Sequence, residues 1–74
     1  MKTIKTVNVV EMSEGSILGM VSYPENKEGN AAAEERFKAL IGENATADEA
    51  EVNDAVDEGH YEQGTWEVFL VHSK

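Results

Sequence analysis

The sequence predicts an α+β fold: a two-layer β-β-α-α-β arrangement, with a mainly antiparallel three-stranded sheet and two helices packed on one face. Three observations predict it. Apolar residues alternate near both ends of the chain, over 2–23 and 65–73. Apolar residues recur at helical spacing between 31 and 58. Gly, Asn, Ser or Pro punctuates each of these stretches.

Residues 2–12 alternate as Ile4, Thr6, Asn8, Val10 and Met12 on one side and Thr3, Lys5, Val7, Val9 and Glu11 on the other. Their Thr and Val content suits a pleated, half-buried strand. Ser13, Glu14 and Gly15 supply the turn of a hairpin, Gly15 being free to take positive φ. Residues 16–23 form the returning strand, with Ile17, Gly19, Val21 and Tyr23 on one face and Leu18 and Met20 on the other. Pro24 ends it because it lacks an N–H for the ladder.

After a polar connector, Asn30 is the expected N-cap of a helix over 31–41. Ala33, Phe37, Leu40 and Ile41 fall on one stripe of that helix, and Gly42 stands where a left-handed cap is expected. Thr46, Ala47, Asp48 and Glu49 read as a capping box opening a second helix to Glu58, closed by Gly59. Its apolar stripe is thin: Val52, Ala55 and Val56. Residues 61–64 form a turn, or a short extra strand pairing back on the final one. In the final strand, 65–73, Trp66, Val68 and Leu70 alternate with Glu67, Phe69 and Val71, so both faces are at least partly covered. Pattern alone does not assign the final strand its neighbour.

The predicted core is Ile4, Val10, Leu18, Phe37, Leu40, Ile41, Val52, Val56, Trp66, Val68 and Leu70. A three-stranded sheet leaves a second face open, with Val7, Val9, Val21, Phe69 and Val71 as candidates to line it. An apolar strip of that kind favours a homodimer or a protein partner.

Length sets the scale of all this. A chain of 74 residues and 8.1 kDa is one small acidic domain, 1–74, of the kind that buries only roughly 60% of its unfolded surface. It has no cysteine, hence neither disulfides nor cysteine-based metal sites, and must rely on its core or on a second subunit. Its longest aliphatic or aromatic run, residues 68–71, is far below the ~20 residues of a membrane span. With no signal sequence expected either, the default compartment is the cytoplasm.

Charge is the anomaly. Fifteen acids against six bases give a net of −9. Residues 1–38 hold five bases and six acids (−1), and residues 39–74 hold one base and nine acids (−8). Between Ala39 and Ser73 there is no Lys or Arg. Direct binding to nucleic acid or to anionic membranes is therefore not expected. On the second helix Asp48, Glu51, Asp54 and Asp57 recur every third residue, and Glu58 follows Asp54 by four. Four like-charge pairs at that spacing cost roughly 1–2 kcal/mol before screening. Asp57 and Glu58 also oppose the helix dipole. A solvated, solubilising face accounts for such a pattern. The functional alternative is that Asp48, Glu51, Asp54, Asp57, Glu58 and Glu62 dock on a basic protein surface, one that normally holds nucleic acid.

Catalytic chemistry is sparse. There is no nucleophile elbow, phosphate loop or dinucleotide fingerprint. Asp57, Glu58, His60 and Glu62 form the one cluster of ligand-type side chains, without the order of a calcium loop or the paired histidines of a zinc helix. His60 and His72 read as surface or helix-end residues. No enzyme activity, cofactor or metal is expected. In size, acidity and mixed order the chain resembles small inhibitors carried by phages and mobile elements, anti-CRISPR and nucleic-acid-mimicking proteins among them. That likeness is one of general properties and transfers no residue roles. The expectation is a non-enzymatic protein-binding module acting through its acidic second half, with a homodimer joined through the open sheet face as the alternative.

Overall fold

The computed structural model describes residues 5–72. Six elements follow in order: β1 (Thr6–Ser13), β2 (Ser16–Pro24), α1 (Lys27–Asn44), α2 (Glu49–Glu58), β3 (His60–Gln63) and β4 (Trp66–His72). The class is α+β, with a four-stranded antiparallel sheet in the order β2-β1-β4-β3 rather than three strands. The added strand is β3: residues 60–63 pair back on β4 across a two-residue turn at Gly64 and Thr65. Positive φ at Gly64 (65°) fits the primed turns that match strand twist. The last strand lies in the middle of the sheet, between β1 and β3.

The β1–β2 turn is also two residues long, not three, because Ser13 pairs with Ser16. Glu14 (φ 52°) and Gly15 (φ 81°) both take left-handed backbone, as a type I′ turn requires. The Glu14 N–H donates to Thr65 O at 3.0 Å, tying the tips of the two hairpins together.

Both helices cover one face. Ala33, Phe37, Leu40 and Ile41 of α1 are buried as the stripe predicted, together with Ala55 of α2. From the sheet they meet Val7, Val9, Trp66 and Val68. Val52, Val56 and Leu70 pack at the edge of this core, half-buried. Three core expectations fail or fall away. Val7 and Val9, expected on the open face, are 1% exposed and central. Val10 takes the opposite, open face and is half-buried, because Val9 pairs with Leu70 and Val10 with Phe69. Leu18 is 60% exposed, and Ile4 lies outside the described residues.

A bulge explains part of the shift. Glu11 pairs with Gly19 and Met12 with Ile17, leaving Leu18 as the extra residue on β2. Beyond the bulge Val21 and Tyr23 lie on the helix side with Val9 and Val7, so Val21 is not on the open face where it was expected, and Ile17 moves across to the open face with Met12.

Helix α1 begins a turn earlier than the Asn30 cap implies and runs through Gly42. Asn26 is its N-cap, accepting from the Gly29 N–H at 2.7 Å. Asn30 is thereby drawn into the first turn, where its Oδ1 is buried without a partner. Gly29 passes so close to the preceding strand that a Cβ built there would sit 1.7 Å from Pro24 O. The helix ends at Ala45 in extended backbone, and Asn44 Nδ2 donates to Leu40 O (2.9 Å), satisfying one of the last carbonyls.

Candidate functional site

Helix α2 is held by its ends and one small residue. Asp48, not Thr46, is the N-cap: its carboxylate accepts from the Glu51 N–H at 2.8 Å. Thr46 instead pairs through its backbone with the Gln63 side chain, N–H to Oε1 at 3.1 Å and O to Nε2 at 3.0 Å. Gly59 closes the helix in left-handed backbone (φ 76°). Its N–H donates to Ala55 O (2.7 Å) and its carbonyl accepts from the Leu70 N–H (2.8 Å), which seats the helix end on β4. Only Ala55 is fully buried, so the helix lies flat and its remaining surface is free to carry charge.

Asp48, Glu51, Asp54, Asp57 and Glu58 are all exposed. Among the described residues the ion-pair contacts are His60 Nε2 to Glu67 Oε1 (3.5 Å) and His72 Nδ1 to Glu25 Oε1 (3.0 Å). Neither reaches α2. Lys5, Lys27, Arg36 and Lys38 thus leave its carboxylates uncompensated, and the last turn of α2 contains no basic residue. The like-charge spacing survives folding, relieved only at Asp48 by its capping bond.

Glu62 does not join this surface. Its neighbour Tyr61 pairs with Val68 on the helix-covered side, so Glu62, paired with Glu67, lies on the face away from the helices. There it meets His60: ligand-type atoms of His60, Glu62 and Glu67 lie within 4.8 Å of one another. The sequence cluster of Asp57, Glu58, His60 and Glu62 is therefore split, with Glu67 supplied by the register of β4. His60 stacks on Phe69 at 4.7 Å between ring centroids, and its Nε2 is buried without a hydrogen bond. One imidazole and two carboxylates on adjacent strands are the group whose donors could hold a divalent cation.

A second surface was legible only in part: Val21 and Val71 were expected to be exposed, whereas Ile17, Leu18 and Met20 were not assigned to it. Ile17, Leu18, Met20 and Val21, all on β2, are 65%, 60%, 62% and 40% exposed. Val71 on β4 joins them at 46%. Strand β2 pairs only with β1 and forms one edge of the sheet. The signal was present in the composition: the nine residues of β2 contain no charge.

No helix among the described residues is long and apolar enough to cross a membrane. The chain matches no protein-family model, no curated protein and no solved structure at a significant level.

Proposed function

We propose that this protein is a non-enzymatic binding module whose acidic α2 face docks on a basic surface of another protein. Its sharpest form is inhibitory: Glu51, Asp54, Asp57 and Glu58, with Asp48 at the head of the helix, occupy a groove that otherwise holds nucleic acid. One observation carries the reading. These carboxylates are exposed along a single helix with no Lys or Arg of the described chain against them.

The energetic logic is one of deferred compensation. Repulsion along α2 costs about 1–2 kcal/mol, a sizeable share of the ~5 kcal/mol at the low end of domain stabilities. A basic partner relieves that repulsion on binding. Side chains at i, i+3 and i+4 stand ~5–6 Å apart, so a helix face can present negative charge at a density a phosphate-binding groove will accept. Association of this type is steered by charge and weakens steeply with salt.

The test is co-purification from the native host at about 50 and about 300 mM salt, with the captured protein then challenged with nucleic acid. Wild-type capture is expected to fall at the higher salt and to be competed by nucleic acid. Asp54→Lys with Glu58→Lys is expected to abolish it. Equal capture by the double reversal overturns the reading.

A further inference from the structure

We propose that β2 is the contact strand of a symmetric homodimer, in which two copies pair β2 antiparallel to β2 and join their sheets into one. This does not rest on the acidic-face reading; it concerns the opposite side of the molecule.

Exposure on both sides of one strand is the leading observation. Val21 pairs with Val9 and so belongs to the helix side of the sheet, while Met20 pairs with Val10 and belongs to the open side. Both are exposed, at 40% and 62%. Packing the open face against another body covers Met20, Ile17 and Val71 but leaves Val21 in water. Edge pairing covers Ile17, Met20 and Val21 together, because a new strand beside β2 brings side chains to both faces at once.

The two sheet edges also differ in how they are guarded. Strand β3 has four residues, carries His60 and Glu62, and lies beside the 45–48 connector held by Gln63. Strand β2 has nine residues, SILGMVSYP, with no Lys, Arg, Asp or Glu and a proline only at its last position. An uncharged edge of that length is what monomeric proteins avoid. Its one irregularity, the bulge at Leu18, twists the hairpin tip and leaves residues 19–24 in regular register.

An uncharged strand that is complementary to itself selects a second copy as the occupant, and the placement of charge permits it. In the sheet order β2-β1-β4-β3, α2 packs over β3, at the far edge from β2. Pairing through β2 sets the two β3 strands seven spacings of ~4.8 Å apart, roughly 34 Å, or about four Debye lengths at physiological salt. Two chains of charge −9 can meet there with their acidic helices screened from each other. A two-fold axis at Met20 places Gly19 of one copy opposite Val21 of the other, a small residue facing a larger one, with no like charges opposed. A strip ~30 Å long carrying side chains on both faces buries on the order of 500 Å² per copy, close to the ~1,000 Å² total that a specific interface needs. The dimer is therefore concentration-dependent.

Sedimentation from about 5 to about 500 μM, spanning the affinity range of small interfaces, reads the state directly. Wild-type protein is expected to pass from monomer to dimer, undiminished at about 0.5 M salt, with amide exchange slowed in residues 18–22. Val21→Lys and Met20→Lys, each checked for an unchanged far-UV spectrum, are each expected to hold the chain monomeric. Met20→Cys, the sole cysteine of its chain, is expected to cross-link symmetrically under mild oxidation, and Val71→Cys is not. A monomer throughout the range, or a dimer indifferent to Val21→Lys, overturns the proposal. Assemblies larger than two do so as well, because β2 pairing closes on itself. Loss of capture by the acid reversals leaves all these readings unchanged, so the two proposals fail separately.

Discussion

The Trp66 indole Nε1 donates a 2.9 Å hydrogen bond to Glu11 Oε2 across the central strand pair β1–β4. Trp66 is 9% exposed, so this carboxylate is what lets the largest side chain of the fold turn its polar edge inward. Glu11→Ala is expected to cost about 1–2 kcal/mol, the penalty of a mostly buried donor left unpaired. Glu11→Gln keeps an acceptor and is expected to cost under about half of that. Urea denaturation followed by tryptophan fluorescence measures both, and an unchanged stability of Glu11→Ala would show that the bond contributes nothing.

Two asparagines four residues apart make a prediction of opposite sign. Asn26 caps α1, and Asn26→Ala is expected to destabilise by about 1 kcal/mol. Asn30 lies within the helix with a buried, unpartnered Oδ1. Asn30→Ala is expected to stabilise by roughly 0.5–1 kcal/mol, by removing that orphan and raising helix propensity. Thermal melts of the two variants decide it: both moving downward would mean that the Asn30 side chain makes a stabilising contact.

Gly29 tolerates no side chain. A Cβ 1.7 Å from the Pro24 carbonyl forces the β2–α1 corner apart. Gly29→Ala is expected to cost roughly 2–3 kcal/mol despite alanine's better helix propensity. Gly42, within the same helix but with open space around it, is the control, and Gly42→Ala is expected to gain up to about 1 kcal/mol.

For α2 the prediction concerns stability rather than capture. Replacing Asp57 at the carboxyl end by Lys removes one repulsive pair and places a cation where the dipole favours it. A gain of roughly 0.5–1 kcal/mol is expected at low salt, fading as salt is raised. A loss of stability on Asp57→Lys, seen in urea melts at two ionic strengths, would mean that the carboxylate makes an internal contact and is not free for a partner.

What the sequence made legible follows the physics of each signal. Helix α1 was readable because Phe37, Leu40 and Ile41 leave only one stripe to bury. Its start was not, because Asn26 and Asn30 are equally good caps locally, and the choice between them is made by the fit of Gly29 beneath Pro24. The same holds at Thr46 and Asp48. Alternation in residues 2–12 was plain, but valines at 7, 9 and 10 stand on both sides of the strand, so its phase was open. Contact with Val68 and Phe37 fixes it. Strand β3 offered two readings because four residues carry too little periodicity to separate a turn from a ladder. On α2 the carboxylates were visible as a spacing, whereas the displacement of Glu62 to the other face required the β3–β4 register.

The pairing of Val7 with His72 and of Val9 with Leu70 joins strands at opposite ends of the chain order. During synthesis, β1 and β2 leave the ribosome long before the segment that will insert beside them. Until β4 arrives, Val7 and Val9 lack Val68 and Leu70 beside them and the inner rim of β1 is open to any neighbouring nascent chain. Folding is thus gated by the arrival of β4: without it the β1–β2 hairpin, the two helices and β3 have no centre to condense around.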